Sequence, residues 1–227
     1  PVQEHTLRLL EARAAADLYG SEILLVARTD SEAAKLLTSD VDPRDHWFIL
    51  GTTQVDIPAL AKICGMAWDR TNRRENELRL KKLDKKWPTF AFAIQQVWKH
   101  TDMGDSKGAK EMIEILTSEW NKKAGLKTYY QAVLEAIDAS GRAHKKDLAK
   151  RWAEENGPYT GLSLREQVEL AESMRIHVEW NKHKPKTFEG YFQFKPGVEA
   201  AVARARAFAP FADILWMEQE KRTPFVF

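Results

Sequence analysis

The chain has 227 residues, 44% of them hydrophobic and 30% charged, with 35 Lys and Arg against 33 Asp and Glu. That is apolar material for one large domain or two small ones, and a formal charge of +2 gives no whole-chain case for nucleic acid or a membrane surface. One cysteine excludes an internal disulfide; with no membrane-length apolar run and no signal-peptide pattern, the sequence reads as a soluble protein of a reducing, intracellular compartment.

In chain order, the first predicted element is a helix from His5 to Tyr19, with Leu7, Leu10, Ala14 and Leu18 near the helical period and Gly20 as its stop. The stretch Ser21–Asp30 follows. Its five consecutive apolar residues, Ile23 to Ala27, predict a strand buried on both faces, as in helix-covered parallel sheets. Arg28, Thr29 and Asp30 crowd its C-terminal end, where parallel α/β folds bind substrates, so Arg28 is the leading candidate for a site. Ser31 to Thr38 reads as a short amphipathic helix capped by Asp30 or Ser31. Asp40 to His46 is a charged turn. His46 and its neighbouring aspartates read as solvated loop, because three contiguous loop residues rarely complete a metal's ligand set.

From Thr52 to about Lys186 helical periodicity dominates, with helices predicted over Ile57–Lys86, Phe90–His100, Ala109–Lys123, Thr128–Ser140, Lys145–Asn156 and Ser163–Arg175. Arg70, Arg73, Arg74, Arg79, Lys81, Lys82, Lys85 and Lys86 are interleaved with Asp69, Glu75, Glu77 and Asp84; mixed charge at this spacing describes a solvated helix face with local ion pairs rather than a nucleic-acid surface. Trp180 to Phe192 is loop-like and aromatic. A helix over Val198–Ala209, ended by Pro210, then leads into a second apolar strand, Ala212–Glu218.

Helix then strand, twice, with Arg28 and Glu218 at matching strand ends, is the (β/α)8 pattern in small. The expected fold class is therefore α/β: a partial (β/α)8 TIM-type barrel with a large α-helical insertion. Barrel segments would be residues 1–51 and 187–227, and the insertion residues 52–186. Arg28 and Glu218 also suit an ordinary structural ion pair. Both chain ends read as cut from something longer, and two strands with unpaired edges and apolar faces predict marginal folding in isolation.

Several motifs, in order and at both ends of the chain, resemble the isocitrate lyase family. They are Pro1-Val2-Gln3-Glu4-His5, Val26-Ala27-Arg28-Thr29-Asp30-Ser31-Glu32-Ala33-Ala34 and Asp42-Pro43-Arg44-Asp45-His46-Trp47-Phe48-Ile49-Leu50-Gly51. Thr187-Phe188-Glu189-Gly190-Tyr191-Phe192 and Ala209-Pro210-Phe211-Ala212-Asp213-Ile214-Leu215-Trp216-Met217-Glu218 complete the set. Glu119-Trp120 with Ala124-Gly125-Leu126-Lys127 looks like the helical insertion of longer members, whereas Cys64 to His100 shows little likeness.

The resemblance implies a carbon–carbon lyase that cleaves isocitrate reversibly to succinate and glyoxylate with Mg2+, in the glyoxylate bypass. It implies a homotetramer in full-length form, no nucleic-acid or membrane partner, and a cytoplasmic location, or the glyoxysome or peroxisome in a eukaryote. Arg28 matches the family's substrate-binding arginine and Glu218 its active-site glutamate. The magnesium ligands and the catalytic-cysteine loop would lie upstream of Pro1, so no catalytic or metal residue is assigned within the chain and the isolated chain is expected to be inactive. Lys62-Ile63-Cys64-Gly65-Met66 imitates that loop out of order and without its histidine, so Cys64 reads as a small apolar helix residue. Phe188 stands where arginine is most common. The alternatives are 2-methylisocitrate lyase, which differs by one substrate methyl, a non-catalytic helical interaction module on a barrel remnant, or a faulty gene model or pseudogene product in which part of Cys64–His100 is translated non-coding sequence.

Overall fold

The computed structural model describes residues 2–20, 23–31, 35–69 and 71–218. In chain order the helices are α1 (Val2–Tyr19), α2 (Pro43–His46), α3 (Leu60–Trp68), α4 (Arg73–Asp84), α5 (Pro88–Asp102), α6 (Ser106–Ala124), α7 (Tyr129–Ala139), α8 (Lys145–Glu155), α9 (Leu164–Ser173) and α10 (Val198–Phe208). The strands are β1 (Val26–Asp30), β2 (Leu36–Leu37), β3 (Leu50–Gly51), β4 (Lys127–Thr128), β5 (Phe192–Gln193) and β6 (Ile214–Glu218). Contacts divide the chain into two units. One comprises Pro1–Leu50, Thr128–Val178 and Phe192–Phe227; the other comprises Gly51–Lys127 and Glu179–Tyr191. Helices α7 to α9 thus belong with the two ends of the chain, and α3 to α6 form a body of their own.

In the first unit β1 and β6 run parallel, with Val26 opposite Ile214, Arg28 opposite Trp216 and Asp30 opposite Glu218. Helix α10 packs on β1, and α1 packs on α10. The alanines of α10 let the backbones approach closely: Val2, Ala27, Ala207 and Phe208 form one buried cluster, with Leu9 and Ala212 against it. The buried face of α1 is Val2 and Ala16, while Leu7, Leu10 and Leu18 of the sequence's apolar stripe face outward. Further along, α7 opens with a Thr128–Gln131 capping box and α9 with a Ser163–Glu166 box, each satisfying two backbone donors of its first turn. The fully buried Trp152 of α8 stacks on Tyr130 and donates its indole N–H to the Tyr130 carbonyl at 3.1 Å.

Two expected elements take another form here. β1 begins only at Val26 and is buried on one face: Ala27 and Thr29 are covered, whereas Ile23, Leu24 and Val26 are exposed. One parallel neighbour and one helix layer cannot cover both faces of a strand. The helix expected over Ser31–Thr38 is also replaced, because Leu36 and Leu37 form β2 and pair antiparallel with Phe192 and Gln193; residues 32–34 lie outside the described residues. A partner more than 150 residues away outweighs a weak local preference.

The second unit is a helical body. Its core includes Ile57, Ile63, Leu80, Phe90, Ile94, Val97, Leu116 and Trp120, all buried. The single helix expected over Ile57–Lys86 is two. α3 stops at Trp68, and the Asp69 carboxylate accepts from the backbone N–H groups of Thr71 (3.0 Å) and Asn72 (3.2 Å) and from the Thr71 hydroxyl (3.0 Å). Donors from Asn72 and Thr71 hold that carboxyl down at about 2. A short polar side chain that competes so well for backbone donors ends one helix and starts the next. Helix α6 closes on Gly125 at φ 57, the left-handed cap that glycine adopts without steric cost.

Candidate active site at a parallel strand end

Side chains on a strand alternate between faces, and opposed residues in a pair share a face. The register therefore sets three pairs on the face of β1 and β6 turned away from α10: Val26 with Ile214, Arg28 with Trp216, and Asp30 with Glu218. The lower part of this face is apolar and its C-terminal end is polar. There the Arg28 guanidinium donates to the Glu218 carboxylate. Arg28 and Glu218 are thus brought together as the strand ends suggested. Asp30 joins them on the same face, a placement that the period-2 alternation from Arg28 could have indicated. The pair is open, with side chains 59% and 38% exposed. Exposed ion pairs contribute only about 0.2–1 kcal/mol, so stability alone gives little reason for a guanidinium here.

The strand end is tied down by backbone bonds. The Ser31 N–H donates to the Glu218 carbonyl (3.1 Å) and the Gly197 N–H to the Ser31 carbonyl (2.7 Å), joining β1, β6 and the start of α10. At the opposite end the Asp213 carboxylate accepts from the Leu25 N–H and from the Arg13 guanidinium, both at 2.8 Å.

Of the two carboxylates on this face, Asp30 and Glu218, the second is engaged by the Arg28 guanidinium. Among the described residues no group of three or more His, Cys, Asp or Glu could hold a metal ion.

The Asp42–His46 turn is neither a metal site nor solvated loop. It forms α2, with Asp42 and Asp45 buried. Asp42 caps the helix by accepting from the Arg44 N–H (3.0 Å), and its carboxylate takes both Nε (2.9 Å) and Nη2 (2.7 Å) of Arg44. Asp45 accepts from the Val2 N–H (2.8 Å), fastening α1. His46 is engaged at both ring nitrogens, with Leu164 N–H donating to Nδ1 and Nε2 against the Asp40 carbonyl.

Burial pushes the Asp42 carboxyl up, but the bonds from Arg44 outweigh it and the net shift is down. A carboxyl depressed on folding stabilises fully above its unfolded value of about 3.9, and that contribution fades as pH falls through the lower folded value. Asp42→Ala should therefore cost about 1–2 kcal/mol near neutral pH, and its urea midpoint should converge with the parent's in acid. Asp45 has the opposite sign: burial raises its carboxyl, so stability falls as pH climbs from the unfolded toward the folded value.

Cys64 is buried in α3, as a small apolar residue would be, and burial pushes its thiol up to about 11. Little thiolate exists near pH 8, so an aromatic disulfide reagent should label Cys64 only in denaturant. Fast labelling of the native chain would contradict this. Phe188 is exposed and its ring lies over Gly65. In the basic run Arg79 pairs with Glu75 and Arg73 with Glu77 along α4, while Arg73 also reaches Asp102 of α5; Arg70 lies outside the described residues. An open cleft lined in part by Arg44, Tyr159 and Arg206 shares no residue with the strand end. No helix among the described residues is long and apolar enough to cross a membrane.

Helices backing a parallel strand pair, with polar groups collected where the strands finish, define an α/β protein. The chain matches the isocitrate lyase family over residues 1–97 and 91–224, and the match runs through the Cys64–His100 stretch that looked foreign to it. It is similar to isocitrate lyase of Saccharomyces cerevisiae (34% identical over 219 residues, 96% of this chain and 33% of the relative) and to isocitrate lyase of Pinus taeda (32% over 224 residues, 96% and 32%). It is also similar to a mitochondrial 2-methylisocitrate lyase of Hypocrea atroviridis (32% over 218 residues, 96% and 32%). The chain belongs to the isocitrate lyase family, a family of carbon–carbon lyases. It spans about a third of the length of these curated relatives.

Proposed function

We propose that these residues are a segment of an isocitrate lyase and that the β1–β6 strand end is its contribution to substrate binding. On this reading residues 1–51 and 187–227 are pieces of a (β/α)8 barrel, residues 52–186 are a helical insertion, and the complete enzyme is a tetramer. The observation that carries the proposal is the Arg28 guanidinium beside the Glu218 carboxylate at the C-terminal ends of adjacent parallel strands. A guanidinium offers two parallel donors to a carboxylate, which suits it to gripping a tricarboxylate such as isocitrate and holding its anion in one orientation. Glu218 keeps the guanidinium aimed across the strand end. Cleavage to succinate and glyoxylate also needs a base for the substrate hydroxyl, a metal and an acid for the succinate carbon, and these come from residues outside this chain.

The purified 227-residue chain is expected to release no glyoxylate from isocitrate, whereas a full-length lyase carrying this sequence should do so with Mg2+ present. Turnover by the chain alone would overturn the segment reading, and a silent full-length protein would overturn the lyase reading. The similarity to a 2-methylisocitrate lyase favours a second substrate. Release of pyruvate from 2-methylisocitrate in preference to glyoxylate from isocitrate would select it.

A further inference from the structure

The β1–β6 pair has five residues a side; Ala27 and Thr29 of β1 are covered, but β6 buries none of its five residues, so side-chain packing does little to choose where β6 lies along β1. Register matters here more than stability. With a period of two, a slip of one residue moves Glu218 to the face opposite Arg28 and leaves the guanidinium without its carboxylate. Something other than core packing must fix the alignment.

We propose that Asp213 is a positioning residue that sets the β1–β6 register and thereby the meeting of Arg28 with Glu218. Its carboxylate binds the Leu25 N–H and the Arg13 guanidinium, while its own N–H donates to the Leu25 carbonyl at 2.9 Å. One residue thus grips both backbone groups of Leu25, just before β1, and α1 as well through Arg13. Arg13 is itself steadied by Asp17 one turn on, with Nε at 3.0 Å. The bond from Leu25, and then that from Arg13, hold the Asp213 carboxyl below its usual range, so it stays ionised near neutral pH. Beyond the ladder bonds of the pair itself, the Ile214 N–H also donates to the Leu25 carbonyl (3.1 Å), and at the far end the Ser31 N–H donates to the Glu218 carbonyl (3.1 Å). The pin at Asp213 and the Ser31 bond bracket the five paired residues.

The assignment gives the lyase reading its geometry, but its test needs no substrate, so the two can fail separately. In the 227-residue chain, NMR would follow Ser31 amide exchange and the cross-strand backbone contact between Arg28 and Trp216. Asp213→Ala should speed exchange at Ser31 by about tenfold or more and weaken or shift the Arg28–Trp216 contact, with the α6 amides of Leu116 and Trp120 unchanged. Asp213→Asn keeps an acceptor for Leu25 but not the charge facing Arg13, and should fall between. Arg13→Gln should match Asp213→Asn. Unaltered Ser31 exchange and register in Asp213→Ala would overturn the proposal. So would equal acceleration in α6, which would mean general destabilisation.

Discussion

Replacing Arg28 by glutamine in a full-length lyase carrying this sequence will lower kcat/KM for isocitrate by about two to four orders of magnitude. The figure follows from losing a charge-assisted, two-donor grip on a substrate carboxylate in a closed site, about 3–5 kcal/mol at roughly 1.4 kcal/mol per tenfold. Arg28→Lys should recover part of it, since an ammonium supplies charge without the parallel fork. Stability should hardly move, because an open pair such as Arg28–Glu218 contributes at most about 1 kcal/mol. That contrast separates the two uses of the pair. A merely structural ion pair, this exposed, would leave turnover alone and shift the unfolding midpoint little; a substrate arginine lowers turnover with the midpoint unmoved. In the isolated chain, a succinate titration watched at the Arg28 resonances would show the same difference without catalysis.

Trp120→Ala should be the most damaging single change in the helical body. The indole is fully buried at the centre of the α3–α6 core and donates its N–H to the Pro58 carbonyl at 2.8 Å. Truncating a buried tryptophan costs about 3–5 kcal/mol, a large share of the roughly 5–15 kcal/mol that holds a domain together. Trp120→Phe keeps most of the bulk but leaves the Pro58 carbonyl unsatisfied, for an expected cost of about 1–3 kcal/mol. Exchange at α5 and α6 amides is the right measurement, because a chain in two units need not unfold in one step. A loss below about 1 kcal/mol for Trp120→Ala would mean that the core collapses around the gap.

Much of this architecture is legible in the residues because it rests on local rules. Apolar spacing marks α5 to α10 within a few residues, and Thr128–Gln131 and Ser163–Glu166 announce their own helix starts. Arg28 and Glu218 are legible as a matched pair because each closes an apolar run, although charge at a strand end alone equally suits a structural ion pair. The misreadings share a cause: each depends on a partner that the local sequence does not name. Leu36-Leu37 looks helical until Phe192 and Gln193 pair with it. Asp45 looks solvated until the Val2 N–H, 43 residues away, claims it. Two exceptions are local: the Arg44 that buries Asp42 stands two residues from it, and at the Asp69 break the polar Asp69, Thr71 and Asn72 are a signal that the surrounding periodicity hid.

The placement of tryptophans has a use in the optical laboratory. Trp120 and Trp152 are fully buried and Trp47 and Trp98 nearly so; Trp68 is 37% exposed in the helical body, and Trp216, at 57%, is exposed on the face it shares with Arg28. Its emission should lie to the red of the buried indoles and be the component that a neutral aqueous quencher such as acrylamide removes first. Whatever comes to cover that face, be it other strands of a barrel or a bound anion with its companions, will dry Trp216 and blue-shift it while Trp68 stays as it is. Assembly around the strand end can therefore be watched by light emission from the chain's own residues, with no label attached.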